Sequence, residues 1–400
     1  MTRLDEEVYW DPFDTRLDTE PYDTWRRMRD EAPVYRNERF DFFALSRFAD
    51  VNAAHRDPAT FLSGRGTVLE LMGHQLDQQP GMMIFMDPPQ HDSLRALVSR
   101  AFTPRRVGAL EERVRAVCRE HLDPQVGGEG FDYLQDFGAQ LPSKIISSLL
   151  GVPDADRPRV LELIDTVFYI EPEVGMINDV SLGAQIELNA YLQAQLAERR
   201  ARPRDDLLTA LVEAELSQED GAYRRLNDVE GAGFANLLVS AGTETVARLL
   251  GWAAVVLDAH PDQRDELARD PSLIPNTVEE LLRFEAPSPV QGRWTSGPVE
   301  LHGELIPPDS KVLLLTGSAG RDERAYPDPD HFDIHRRFDQ HVSFGIGPHF
   351  CLGAALARLE GRVALEETLA RFPRWEVDHE RAVRLHTSTV RGYKQVPIRL

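Results

Sequence analysis

Phe344-Gly345-Ile346-Gly347-Pro348-His349-Phe350-Cys351-Leu352-Gly353 runs straight into the helical stretch Ala354 to Arg371. A cysteine at the mouth of a helix meets unpaired backbone N–H groups and the positive end of the helix dipole, which favour thiolate over thiol and so favour metal ligation. The glycines let the backbone approach something flat and bulky. An isolated cysteine is more often an inert buried hydrophobe. Here Phe344, His349 and the three glycines stand around Cys351 at fixed offsets, which marks it as a metal ligand.

Outward from this loop, apolar periodicity predicts further helices at Thr24 to Asp30, His91 to Phe102, Pro104 to Leu122, Phe131 to Leu150, Ala184 to Arg200, Asp228 to Ala259 and Thr277 to Phe284. Thr103 caps the third of these, and Pro124 to Gly130 is a loop between helices. Strand alternation is confined to residues 34–45, 290–315 and 375–400, with a short hairpin at Val299 to Ile306. The expected fold is mainly α with small β-sheets, a single domain over residues 1–400 crossed by the long central helix Asp228 to Ala259. No repeat, low-complexity tract or interdomain linker interrupts it.

Of 400 residues, 42% are hydrophobic and 28% charged, the composition of a globular protein and not of a disordered or fibrous one. No stretch approaches the roughly 18 consecutive apolar residues of a membrane helix, so a cytoplasmic protein without a membrane anchor is expected. Two cysteines are too few for a disulfide framework. Cys118 has Leu110, Val114 and Val117 at helical spacing and is placed in the core. Lys and Arg number 45 against 66 Asp and Glu, a net charge of −21 that argues against nucleic acid or an anionic membrane as partner.

In the middle of the long helix, Ala241-Gly242-Thr243-Glu244-Thr245 interrupts the apolar pattern with small and polar residues. The Thr245 hydroxyl can bond back to the carbonyl of Ala241 and bend the helix, and Gly242 would let a flat cofactor lie against the backbone. Glu280 and Arg283 are neighbours on a helical face, His91 and Arg95 likewise at i and i+4, and Arg293 follows a proline-rich turn.

Together these segments resemble the cytochrome P-450 family over nearly the whole chain. The Cys351 segment matches Phe-Gly-x-Gly-x-His-x-Cys-x-Gly, the Ala241 segment Ala-Gly-x-Asp/Glu-Thr, Glu280 to Arg283 Glu-x-x-Arg, and His91 to Arg95 His-x-x-x-Arg. The resemblance implies that Cys351 is the axial ligand of iron in haem b. Phe344, Gly345, Gly353, Ala241 and Gly242 would then contact the macrocycle, and His91, Arg95, Arg293 and His349 its carboxylates. It implies that Thr245 and Glu244 deliver protons during oxygen activation. Val246 after Thr245 leaves one hydroxyl fewer than many members carry. Glu280, Arg283 and Arg336 of Phe332-Asp-Ile-His-Arg336 are assigned to a scaffold network, and His341 to packing or hydrogen bonding.

The implied activity is a monooxygenase that hydroxylates or epoxidises a mainly apolar small molecule, as a monomer supplied with electrons by a ferredoxin or flavodoxin-type donor and its reductase. The same haem used for desaturation, C–C coupling or peroxide-driven oxidation, or as a sensor, is the alternative. Arg105, Arg106, Arg358 and Arg362 are the candidate basic patch for an acidic donor. The substrate pocket is expected from Leu69 to Phe85 (Leu69, Leu71, Met72, Met82, Met83 and Phe85), Phe168 to Ile177, Phe234, Leu238, Pro289-Val290 and Thr389-Val390.

Overall fold

The computed structural model describes residues 7–72, 80–99, 102–169, 171, 175, 177–217 and 223–400. The first third is built from α1 (Thr15–Thr19), α2 (Tyr22–Glu31), α3 (Phe48–Arg56), α4 (Gln90–Ser99), α5 (Pro104–Gly108), α6 (Glu111–Leu122) and α7 (Gln140–Leu150). Then come α8 (Arg157–Val167), α9 (Asp179–Ala201), α10 (Leu207–Glu213) and the 32-residue α11 (Asp228–Ala259). The chain continues through α12 (Pro261–Arg269), α13 (Ile274–Phe284), α14 (Thr316–Ala319) and α15 (Ala354–Arg371).

α11 starts where the sequence predicts because Asn227 and Glu230 close a capping box: the Asn227 side chain accepts from the Glu230 N–H at 2.9 Å and the Glu230 carboxylate from the Asn227 N–H at 3.0 Å. It packs against α7, α9, α13 and α15, so most of its faces are covered. Gly233 serves a close crossing, since a Cβ there would run into the carbonyl oxygen of Pro80. Two apolar clusters meet on this helix, one reaching α6, α13 and α15, the other α4, α8 and α9.

The main sheet has order β1-β2-β10-β7-β3, from β1 (Val34–Asn37), β2 (Phe42–Leu45), β3 (Phe61–Leu62), β7 (Gln291–Thr295) and β10 (Lys311–Leu314); only the β2/β10 pair is parallel. A second sheet joins β4 (Gly130–Asp132) to β14 (Pro397–Arg399) and β11 (Glu376–Val377). Two-stranded pairs are made by β5 (Glu215–Ser217) with β6 (Tyr223–Arg225), by β8 (Val299–Leu301) with β9 (Glu304–Ile306), the expected hairpin, and by β12 (Val383–His386) with β13 (Arg391–Gln395).

The predicted helix Pro104 to Leu122 is two helices, α5 and α6, divided at Ala109 and Leu110. The Thr103 cap is present, its hydroxyl accepting from the Arg106 N–H. The predicted helix Phe131 to Leu150 begins instead as β4, then a wide turn at Tyr133–Gly138, and becomes α-helical only at Gln140. The Asp132 carboxylate causes the change, because it takes the N–H groups of Leu134, Gln135 and Val396 and ties this segment to the C-terminal strands. Gly130, assigned to a loop, is the first residue of β4. The helix at His91 ends at Ser99 in the described residues, and α3, α8, α10 and α12 carry no expectation at all. Cys118 is fully buried, as placed, and burial pushes its thiol up to about 12.

Candidate active site

The Cys351 loop is closed by its own backbone. The Cys351 N–H donates to the Phe344 carbonyl at 2.8 Å and the Phe350 N–H to that of Gly347 at 3.0 Å, with Gly345 and Gly347 at φ +64° and +73°. The loop rests on the end of α3: a Cβ on Gly347 would lie 2.7 Å from the His55 carbonyl oxygen. Phe344 stacks between His341 and the guanidinium of Arg358, 4.7 Å from the ring centroid. Cys351 itself remains accessible, three residues before α15 begins. Burial raises its thiol pKa, opposed by the Gly353 N–H and by Arg95 and Arg358. The Gly353 N–H is the helix-mouth group that favours the thiolate here.

α11 is helical through Ala241 to Thr245 without interruption. Thr245 Oγ1 donates to the Ala241 carbonyl at 2.9 Å, the bond that the sequence spacing leads one to expect. Ala241 is exposed and Thr245 half-buried although they sit mid-helix among buried neighbours, so this face of α11 borders open space. Gly242 faces elsewhere: a Cβ would press on Ile146 of α7 at 3.3 Å, so its smallness is used in helix packing. Glu244 is buried and pairs with Arg248 at 2.9 Å, while the other arm of Arg248 donates to the Tyr393 carbonyl. Asp165 of α8 lines a broad surface cavity, where crowding by surrounding protein and the charge of Glu244 push its carboxyl up to about 6.

His91, Arg95, Arg293 and His349 come together although they lie on α4, β7 and the Cys351 loop. The His91 and His349 rings stand 4.1 Å apart between centroids, and Arg95 donates to the Phe350 carbonyl at 2.6 Å. His91 Nε2 and His349 Nε2 are buried without a hydrogen-bond partner among the described residues. Burial and the nearby Arg293, His91, Arg95 and His55 push the His349 imidazolium down to about 3, and burial brings Arg293 down to about 10. The one acid that raises Arg293 is Asp87, whose carboxylate is engaged by the Ser63 and Gly64 N–H groups. His55, absent from the expected set, belongs to this cluster. It lies in a helix that the sequence pattern does not reveal.

Away from this cluster, Glu280 and Arg283 are fully buried and joined by two bonds of 2.7 Å, with Arg336 Nε on Glu280 at 3.1 Å. His341 takes the Ser343 N–H at Nδ1 and turns Nε2 to Glu279 at 3.0 Å, which makes it a hydrogen-bonding residue. The basic patch is smaller than expected. Arg358 is forked on Glu279 at 2.6 and 2.9 Å and Arg362 is held by Glu111 and Glu366, so both charges are spent internally. Arg105 and Arg106 are exposed and form no ion pair among the described residues. Leu69 and Met72 pack with Trp10 and Trp25, Met83 and Phe234 with α4 and α9, and Val290 with the main sheet; these are core residues. Leu71, Met82, Phe85, Leu238, Thr389 and Val390 are half-buried. Phe168 and Ile177 are described, but residues 170, 172–174 and 176 of that expected stretch lie outside the described residues, as do 73–79 of the other. Glu70, also unforeseen, meets Ser388 through a short hydrogen bond that links the 69–72 turn to the β12–β13 turn.

The family model of cytochrome P-450 matches residues 38–397. A Mycobacterium tuberculosis protein assigned as cytochrome P-450 123 is 42% identical over 98% of this chain and 97% of its own length. The erythromycin C-12 hydroxylase of Saccharopolyspora erythraea is 41% identical over 93% of this chain and 92% of its own. The structure of cytochrome P-450 CYP109Q5 from Chondromyces apiculatus superposes with a TM-score of 0.88 at 34% identity, covering 98% of both chains. With that fold and those relatives, the chain belongs to the cytochrome P-450 family of haem- and iron-dependent oxidoreductases that incorporate oxygen into their substrates.

Proposed function

We propose that this protein, acting as a single-domain enzyme, hydroxylates or epoxidises a mainly apolar small organic molecule at haem b bound through Cys351. The observation that carries the assignment is the meeting of an accessible cysteine with two buried imidazole Nε2 atoms that have no hydrogen-bond partner and a buried arginine that forms no ion pair among the described residues, although His91 Nδ1 is held by Asp92 at 2.9 Å. A thiolate suits iron, and a dianionic cofactor suits a cluster of donors whose two acids, Asp87 and Asp92, are already engaged, so the residues present fit haem. Cys351 would hold the iron, and His91, Arg95, Arg293 and His349 would take the two carboxylates. When bound, haem supplies one-electron and dioxygen chemistry, with thiolate donation favouring O–O cleavage.

Thr245 is the hydroxyl on the open face of α11. Its proton is given to the Ala241 carbonyl, leaving two lone pairs on Oγ1 to accept from water and so to orient a proton donor beside the reacting oxygen. Glu244 is occupied by Arg248 at 2.9 Å, so it joins a proton path only by leaving that pair. Leu71, Met82, Phe85, Leu238 and Val390 provide the apolar side of the substrate site, consistent with the hydroxylase relative. Electrons come from a separate ferredoxin or flavodoxin-type protein, and Arg105 and Arg106 offer an acidic donor its attachment.

The reduced carbon-monoxide spectrum tests the ligand: the wild type should show the strongly red-shifted Soret band of thiolate ligation and Cys351→Ser should lack it. An unshifted wild-type band would remove Cys351 from the metal. Product analysis of a turnover supplied with electrons then separates hydroxylation from other oxidations.

A further inference from the structure

His55 closes α3, beneath the Cys351 loop and outside every motif that relates this chain to its family. It is 4% exposed, yet neither Nδ1 nor Nε2 has a hydrogen-bond partner among the described residues. Its ring flanks the loop glycines, with Cε1 and Nδ1 at 3.7 and 3.8 Å from the position a Cβ on Gly345 would take. Arg293 and His349 are its electrostatic neighbours. A neutral imidazole carries one donor and one acceptor, and burying both without partners is more costly than burying a leucine of similar volume. A histidine in that place is explained by a ligand that it meets.

Resting on the haem assignment made above, we infer that His55 is a fifth donor of the carboxylate cradle, giving an imidazole N–H to a haem carboxylate alongside His91, Arg95, Arg293 and His349. The groups facing it agree with an anionic ligand. Around His55 and His349 stand Arg293, His91 and Arg95, and the acids of the cluster are already engaged, Asp87 by the Ser63 and Gly64 N–H groups and Asp92 by His91 Nδ1 at 2.9 Å. Desolvation and Arg293 push the His55 imidazolium down to about 3, so the ring is neutral at physiological pH and acts as a dipole and not as a charge. A neutral donor holds the carboxylate without adding a third full positive charge to a buried site that already contains two arginines.

The test follows the haem itself. His55→Leu and His55→Met remove the donor at similar volume, and His55→Gln restores one. Haem transfer to excess apo-globin should be about tenfold faster for the leucine and methionine proteins, the scale of one lost hydrogen bond to a charged group, and within about twofold of wild type for glutamine. Resonance Raman carboxylate-bending bands should shift in the same two variants and not in the third. Should one apolar variant fail to fold, the other is read against glutamine. Loss rates or bands that do not follow the presence of a donor at position 55 overturn the inference. The red-shifted carbon-monoxide band of the wild type keeps this separate from the parent assignment: its absence sinks the haem-thiolate reading, while its presence with unchanged haem retention sinks only the role of His55.

Discussion

Arg283 and Arg293 are both buried arginines ten residues apart, and they live in opposite surroundings. Arg283 spends its donors on the two oxygens of Glu280 and on the carbonyls of Gly320 and Pro329, all at 2.7 to 2.8 Å. Arg293 has one bond, to the carbonyl of Gly292, and no ion pair among the described residues. A saturated buried charge belongs to the scaffold, because removing either partner strands the other. An unsaturated one is a place prepared for something else, and the orphaned imidazoles around Arg293 say the same. The two sites therefore respond to mutation with opposite signs.

The largest effect is expected at the saturated site. Arg283→Met should destabilise the protein by about 3–5 kcal/mol with or without haem, since it leaves Glu280 charged and buried; thermal melts of both forms measure it, and equal stability would put the network outside the scaffold. Glu360 sharpens the contrast as a buried acid with no partner among the described residues, pushed up to about 8 by desolvation. A raised carboxyl keeps its proton in the fold while the unfolded chain releases it, so its cost grows from about pH 4.5 upward. Glu360→Gln should match wild type near pH 4 and be more stable by roughly 4 kcal/mol at pH 8, as read by denaturant midpoints.

At the unsaturated site, Arg293→Met should raise the stability of the haem-free protein by about 1 kcal/mol while weakening haem retention. A melt of the haem-free form beside haem transfer shows whether the signs differ; a loss in both would make Arg293 a scaffold residue like Arg283. Glu279 tests a half-exposed version of saturation. Burial raises it, but the bonds from His341 and Arg358 win and take it down to about 2. A lowered carboxyl contributes above its unfolded pKa and loses that contribution as pH falls toward 2, so Glu279→Gln should flatten the acid limb of the stability profile between about pH 4.5 and 2. Smallest is Thr245→Ala, expected to change stability by less than about 1 kcal/mol because a single helix-surface bond is lost, while the fraction of electrons recovered in product falls.

Much of this was legible where caps and periodicity agree. α11 and α15 have the predicted bounds because Asn227 and Glu230 close one start and Gly353 precedes the other. Spacing also anticipated the pairing of Glu280 with Arg283, and the family resemblance added Arg336, since the residues that satisfy a buried charge are themselves charged and conspicuous. What the pattern hid depends on distant partners. Asp132 turns a helical-looking stretch into a strand because it captures an N–H from Val396, and nothing near residue 132 announces that. Arg358 and Arg362 read as a free patch until Glu279 and Glu111 are seen to neutralise them. His55 has no local signal, being one histidine in a short alanine-containing helix, and its meaning lies in Arg293 and Gly345.

The seating of the Cys351 loop on the end of α3 has a consequence for how the molecule is made. One wall of the site is synthesised in the first sixth of the chain and the thiol in the last, so the pocket has no floor until translation is almost complete. Contacts so far apart in sequence form slowly. Cofactor capture should accordingly be a late step, and nascent chains shorter than Cys351 should fold their helices yet carry no haem.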